Sequence, residues 1–305
     1  MDDLDPSAPL LTVHGPRVVA LGGGHGLAAS LTAARHYASD IAAVVSVADD
    51  GGSSGRLRAA FGIPPPGDLR RCLVALADED SPWTTAFEYR FGGGGLEGHA
   101  FGNLVIAGLA EATGSFEAAL AEAARVLGAV GRVIPATREP VVLKAEVLAP
   151  DGSAGVWVEG QVAVGQAGRI AGVALVPADP EPPETALEAL AAADQVVVGP
   201  GSLFTSVLAV VAVPAIREAL TATRGRKVYV CNLRPQVPET EGFDVAAHVA
   251  ALRAHGLDVD VVLCHPGSLP IGNLDVPYLE KPVAREDGLA HDPVRLATAL
   301  ADLVG

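Results

Sequence analysis

The sequence predicts an α/β fold: a doubly wound, mostly parallel sheet carrying an inserted helical and antiparallel β segment. Three observations predict it. Arg17 to Leu21 (RVVAL) is a short apolar run ended by Gly22-Gly23-Gly24, and a helical stretch, Leu27 to Tyr37, leads to a second apolar run, Ile41 to Val47. This β-loop-α-β unit is the building block of a parallel sheet. The same alternation returns late in the chain, between Glu184 and Cys264. Finally, 50% of the 305 residues are hydrophobic but only 4% are aromatic. The core is therefore built from Ala, Val and Leu, which let helices lie close on a sheet.

Residues 1–15 read as a flexible leader; they are acidic and proline-bearing, without the basic start and apolar centre of a secretory signal. Residues 16–305 read as a single domain. Residues from about 90 to 180 are the insertion. It opens on a flexible loop from Phe91 to Leu96, with four glycines between, and continues as helices His99 to Thr113 and Phe116 to Leu127. Arg132 to Ile134, Val141 to Leu148, Val156 to Val164 and Ile170 to Val176 then read as short antiparallel strands. The loop Ala178 to Thr185 returns to the parallel sheet. Helix Glu184 to Ala193, strand Gln195 to Val198, strand Lys227 to Cys231, helix Asp244 to His255, strand Val259 to Cys264 and helix Pro293 to Val304 complete it.

Composition excludes several classes. The formal net charge is -15 and no basic stripe is visible, so general nucleic-acid binding is not expected. Apolar stretches are too short, or broken as at Pro214, so membrane insertion is not expected. Cys72, Cys231 and Cys264 are far apart and odd in number, which gives neither a metal spacing nor a disulfide framework. A reducing cytoplasm is the expected compartment.

Two glycine loops carry the chemistry. In LGGGHGLAAS, the residues Gly24, Gly26 and Ala29 fit a Gly-x-Gly-x-x-Gly/Ala spacing between a strand and a helix. Gly23, Gly24 and Gly26 let the backbone approach a phosphate, and the helix start supplies free N–H groups. His25 is either a phosphate or acid/base contact or a tolerated loop side chain. A dinucleotide site wants an acid about 20 residues on, and Asp49 and Asp50 stand there, so a nicotinamide-dependent oxidoreductase is an alternative. Such a site has no need of the adjoining run Gly51-Gly52-Ser53-Ser54-Gly55-Arg56. That run offers successive N–H groups, two hydroxyls and a guanidinium, an anion nest beside acids able to hold sugar hydroxyls or a magnesium ion. Asp68 either caps a helix beginning near Leu69 or enters the site; Arg70 and Arg71 face a phosphate or solvent. GPGSLFTS repeats the logic with Gly199, Gly201, Ser202 and Thr205, where Ser202 as a helix cap is the plain reading. Asn103, at a helix start beside His99, and Asn232, at a strand end, are further candidates. Phe204 stacks on a base or lies in the core. Arg295 reaches a ligand or sits on a solvated helix.

The blocks GGGHGL, VSVADDGGSSGRLR, PPPGDLRRCLVALAD, HAFGNLVIAGL, ADQVVVGPGSLFTSVL and VYVCNLRPQVPETEGF together resemble the YvcK/CofD family, and the bacterial YvcK branch in particular. They run in the family's order from about Arg17 to Phe243. The resemblance implies a Rossmann-like sheet with a ligand site at its carboxyl edge. It implies binding of a nucleotide-sugar of the UDP-N-acetylglucosamine type, and a link to cell-wall precursor allocation, cell shape and gluconeogenic growth. The CofD branch implies the alternative: transfer of a phospholactyl-type group from a nucleoside diphosphate-linked donor with magnesium, Asp49 and Asp50 then being catalytic. The ligand set expected is Gly23, Gly24, His25, Gly26, Asp50, Gly51, Gly52, Ser53, Ser54, Arg56, Asp68, Asn103, Gly199, Gly201, Ser202, Thr205, Asn232 and Arg295. A homodimer or higher assembly is expected. The sequence departs from the family at His25, commonly threonine, at Arg71, commonly asparagine, and at LRPQVPET.

Overall fold

The computed structural model describes residues 14–149 and 155–304; most of the leader, residues 1–13, lies outside the described residues. The chain runs β1 (Arg17–Gly22), α1 (Gly24–Ala34), β2 (Asp40–Val45), α2 (Gly52–Phe61), α3 (Gly67–Leu76), α4 (Pro82–Glu88), α5 (Phe101–Thr113), α6 (Phe116–Leu127) and β3 (Arg132–Pro135). It continues with β4 (Val142–Val147), β5 (Val156–Glu159), α7 (Gln161–Gly165), β6 (Ile170–Val176), α8 (Glu184–Ala192) and β7 (Gln195–Val198). A π-turned stretch, Leu203–Val207, runs into α9 (Leu208–Val211). Then come α10 (Pro214–Ala222), β8 (Arg226–Val230), α11 (Val245–Ala254), β9 (Val261–Cys264), β10 (Tyr278–Glu280) and α12 (Pro293–Ala301).

The main sheet has the order β10-β9-β8-β7-β1-β2-β3, and every neighbouring pair is parallel. The order reverses between β1 and β7, so the sheet is doubly wound about that point. Its strands read as continuous apolar runs because both faces are covered: all of β7 and β9, and all but the first residue of β1 and β2, are buried. α1 lies between α3 and α12 in one helix layer; α8 crosses β1, β2 and β3 in the other and packs on α10. No single described helix is long and apolar enough to cross a membrane.

The insertion is smaller than the sequence implies. Arg132–Pro135, expected among antiparallel strands, pairs in parallel with β2 (Ala42 opposite Arg132) and forms the edge of the main sheet. Helices α2 to α6 are therefore the crossover from β2 to β3. Only β5-β4-β6 make a separate antiparallel sheet. The run Val156 to Val164 does not stay extended. β5 stops at Gly160, whose φ of 96° turns the chain into α7. This small sheet and α7 pack on the Leu203–Val211 stretch, beside the carboxyl edge of β7.

Candidate functional site

The carboxyl ends of β1 and β7 feed loops that diverge, which leaves a crevice at the switch point. The glycines there are set by close approach. A Cβ on Gly23 would lie 2.5 Å from Asp68 Oδ2 and 3.2 Å from Ser206 Oγ. One on Gly26 would enter the Pro200 carbonyl and lie 2.9 Å from Gly201 Cα. Gly24 takes a φ of 65° at the first position of α1. Bare backbone thus brings α1 against both α3 and the Gly199–Gly201 turn. The N–H groups of His25 and Gly26 stand in the first turn with no partner among the described residues.

Asp68 is buried and does not cap its helix. α3 begins one residue earlier, at Gly67, after Pro66. The Asp68 carboxylate instead accepts the Gly24 N–H and Arg71 Nη1, the latter at 2.6 Å. Burial pushes its carboxyl above the usual range and Arg71 pulls it back. His25 is exposed on the first turn of α1; desolvation first, then the Arg71 charge, lowers its pKa, so the imidazole is neutral at pH 7.

Asp49 and Asp50 diverge. Asp49 Oδ1 accepts the Gly51 N–H at 2.9 Å, while Oδ2 faces Gly67, 3.3 Å from where a Cβ would be. Asp50 Oδ1 accepts the Val162 N–H at 3.0 Å, in the first turn of α7. Asp50 therefore ties the insertion to the sheet edge. The Gly51 to Arg56 stretch, read as a loop, is the N-cap and opening of α2. The N–H groups of Gly52, Ser53 and Ser54 open this helix without a partner among the described residues, so the run expected to be a loop nest is a helix N-terminus. Ser53 Oγ lies 3.0 Å from His99 Nδ1 and accepts Asn103 Nδ2 at 3.1 Å; all three residues are buried. Asn103 Oδ1 has no partner. Ser54 Oγ abuts Gly67, which docks α2 on α3. Arg56 Nη2 donates to Glu97 O at 2.8 Å.

The third loop is tied down from within. Asn232 accepts the Gly201 N–H and donates to the Gly201 carbonyl, both at 2.9 Å. Gln236 Nε2 donates to Ser202 Oγ at 3.2 Å, and Ser202 makes no side-chain cap. Buried Glu239 accepts the N–H of Phe204 at 2.6 Å and of Thr205 at 3.2 Å, and Thr205 Oγ1 at 3.3 Å. Phe204 is buried edge-on against Phe243 and His255, so it belongs to the core. Glu239 and Gln236 hold this loop in place, a role that sequence reasoning misses because their partners lie more than 30 residues away and no local pattern marks them.

A cleft of about 260 Å³ opens between α1, this loop and the chain after β8; Gly26, Pro200, Asn232, Gln236 and His291 line it. Burial lowers the His291 pKa to about 4. A larger groove, about 860 Å³, lies apart from these residues along Pro82 to Tyr89 and Phe101. Arg295 is exposed and its Nη1 donates to Ala284 O at 2.9 Å, fastening the segment that carries His291. Among the described residues no group of three or more His, Cys, Asp or Glu side chains converges to hold a metal.

Comparison with known proteins shows the chain's relatives. The family model for 2-phospho-L-lactate transferase CofD matches residues 18–292. A relative from Mycobacterium leprae, named provisionally as a gluconeogenesis factor, is 43% identical over 308 residues, 93% of this chain and 85% of its own. The "Gluconeogenesis factor" of Halalkalibacterium halodurans is 43% identical over 253 residues, 81% of this chain and 77% of its own. A relative from Nostoc sp. is also 43% identical, but this chain spans only 52% of its length. The crystal structure of a UPF0052 family protein from Bacillus halodurans superposes with a TM-score of 0.88 at 36% identity, covering 95% of this chain and 99% of that one.

Proposed function

The chain belongs to the CofD family, and from that premise we propose that it is a YvcK-like nucleotide-sugar binding factor. The ligand is of the UDP-N-acetylglucosamine type, and the role is allocation of cell-wall precursors, with effects on cell shape and gluconeogenic growth. The gluconeogenesis-factor names of its relatives support the last of these. One observation carries the reading. Unpartnered N–H groups at the starts of α1 and α2 flank Asp68 and Arg71, and the cleft beside His25 and Gly26 continues from them. An anion site contiguous with an organic-sized pocket suits a phosphorylated, hydroxyl-rich ligand.

The Asp49 and Asp50 carboxylates accept from different elements, the Gly51 N–H and the Val162 N–H, and are not gathered around a shared magnesium ion. Asp49, together with ligand phosphates, is the residue that would hold one, and the ion would screen phosphate charge. The family description supports a second reading, transfer of a phospho-group from a nucleoside diphosphate-linked donor. The nicotinamide reading draws no support from Asp50, whose carboxylate accepts the Val162 N–H.

Calorimetric titration with UDP-N-acetylglucosamine, with and without magnesium, followed by recovery of the ligand, tests the proposal. Saturable binding with intact ligand supports a binding factor. Cleavage moves the protein to the transferases, and absence of binding overturns the nucleotide-sugar reading.

A further inference from the structure

Cys231 and Cys264 are far apart in the chain, and the sheet puts them together. Cys231 directly follows β8, and Cys264 is the last residue of β9. The two strands pair in parallel, with Val230 opposite Leu263, and the Cys231 N–H continues that ladder onto the Leu263 carbonyl at 2.9 Å. One step further along both strands, Cys231 lies beside Cys264. Side-by-side residues of parallel strands point to the same face, about 4.8 Å apart. A disulfide takes Cα separations of roughly 4.4–6.8 Å, so the pair stands within reach of a bond. The two thiols already interact in the reduced protein. The Cys231 S–H is hydrogen-bonded to the Cys264 sulfur, which holds the Cys264 pKa below its usual value and raises that of Cys231.

The third cysteine has no such neighbour. Cys72 sits in α3, where burial pushes its thiol up and only Asp68 and Arg71 act on it besides. All three are closed to solvent, Cys72 at 0% and the other two at 1%, so burial does not distinguish them and pairing does. Both paired cysteines stand where a strand passes into a loop. Cys231 precedes Asn232, which clamps Gly201 by two hydrogen bonds of 2.9 Å. Cys264 precedes His265, whose Nδ1 accepts the Ala284 N–H at 3.2 Å.

We propose that Cys231 and Cys264 are a site of reversible oxidation by a small hydroperoxide, and that the bond they form loosens the Asn232 clamp on Gly201. The Cys264 sulfur attacks a peroxide oxygen. The S–O bond forms, the O–O bond breaks, and the Cys264 proton leaves in the first water. The Cys231 sulfur then attacks the resulting sulfenic sulfur. The S–S bond forms, the S–O bond breaks, and hydroxide leaves with the Cys231 proton as the second water. The two sulfurs together give up two electrons, which reduce the peroxide, and an external thiol reverses the change by exchange. Hydrogen peroxide is small enough for sulfurs closed to larger reagents. Drawing the sulfurs together moves the backbone at the residue before Asn232, the side chain on which Gly201 depends.

The full chain is treated with hydrogen peroxide and followed by intact mass and peptide mapping. The expected result is loss of two hydrogens, a cross-linked pair of peptides holding Cys231 and Cys264, a free Cys72, and full reversal by dithiothreitol. Cys231→Ser is expected to gain oxygen at Cys264 and to form no bridge. Hydrogen exchange at the Gly201 N–H is expected to rise roughly tenfold in the oxidised protein, the equivalent of about one hydrogen bond, and to be unchanged by peroxide in Cys264→Ser. Three thiols that stay free, oxidation of Cys72 at the same rate as the pair, or oxygen addition to the parent without a bridge overturns the site. A bridge that leaves exchange at Gly201 unchanged overturns its action on the clamp.

Discussion

Asp68 shows how a single residue trades stability for a site. It is buried, and desolvation is the largest influence on its carboxyl, raising it above its ordinary value of 3.8 despite Arg71 and the Gly24 N–H. Its folded pKa therefore exceeds its unfolded one. The native state holds the proton over that window, so stability contributed by Asp68 is present below pH 3.8 and is lost as pH rises through the folded value. Asp68→Asn is expected to gain stability relative to the parent protein as pH is raised from about 3.5 to 7, measured by urea unfolding at each pH. A constant difference would mean that Asp68 does not change its proton affinity on folding. Arg71, paired with Asp68 at 2.6 Å and 25% exposed at the side chain, still reaches solvent beside the start of α1. Arg71→Ala is expected to weaken a diphosphate ligand by about 1–3 kcal/mol, read by titration, because it removes a charge-assisted contact.

At the scale of elements, α2 is the part that composition concealed. Gly-Ser-Ser-Gly has poor helix propensity, and an isolated peptide of this sequence would not hold a helix. Tertiary contacts override that preference: Ser53 joins His99 and Asn103, and Ser54 fits against Gly67. Ser53→Ala leaves two buried polar partners unmatched and is expected to destabilise the protein by about 1–3 kcal/mol in denaturant unfolding. Little change would reduce the network to an incidental contact. The first glycine loop was legible for the opposite reason. Its glycines are demanded by backbone approach of a strand-to-helix turn, which is local and leaves a spacing in the sequence. Gly26→Ala would drive a methyl into the Pro200 backbone. It is expected to cost about 1–3 kcal/mol of stability and to widen the crevice, with a matching loss of ligand affinity.

For the whole molecule, the parallel α/β architecture was legible because buried parallel strands are unbroken apolar runs between helices. The extent of the insertion was not. Arg132–Pro135 carries the same short apolar signal as β4, and only pairing with β2, far back in the chain, assigns it to the main sheet. Long-range side-chain placements, such as Asp50 on Val162 and Glu239 on Phe204, leave no periodic trace either. The first of these couples the two sheets. Asp50 leaves the carboxyl end of β2, and α7 belongs to the insertion packed beside β7, so one hydrogen bond spans the crevice rim. If Asp50 served the ligand by its charge, on sugar hydroxyls or a cation, Asp50→Asn and Asp50→Ala would be equally harmful. As a tether it needs only an acceptor for the Val162 N–H, which asparagine supplies and alanine does not. Asp50→Asn is therefore expected to bind UDP-N-acetylglucosamine like the parent, while Asp50→Ala loses about 0.5–1.5 kcal/mol of binding free energy by calorimetry. Hydrogen exchange at Val162 should rise in the alanine variant alone, because only there does its N–H lose its acceptor. Equal losses in both variants, with Val162 still protected, would return Asp50 to the role of a charged ligand contact.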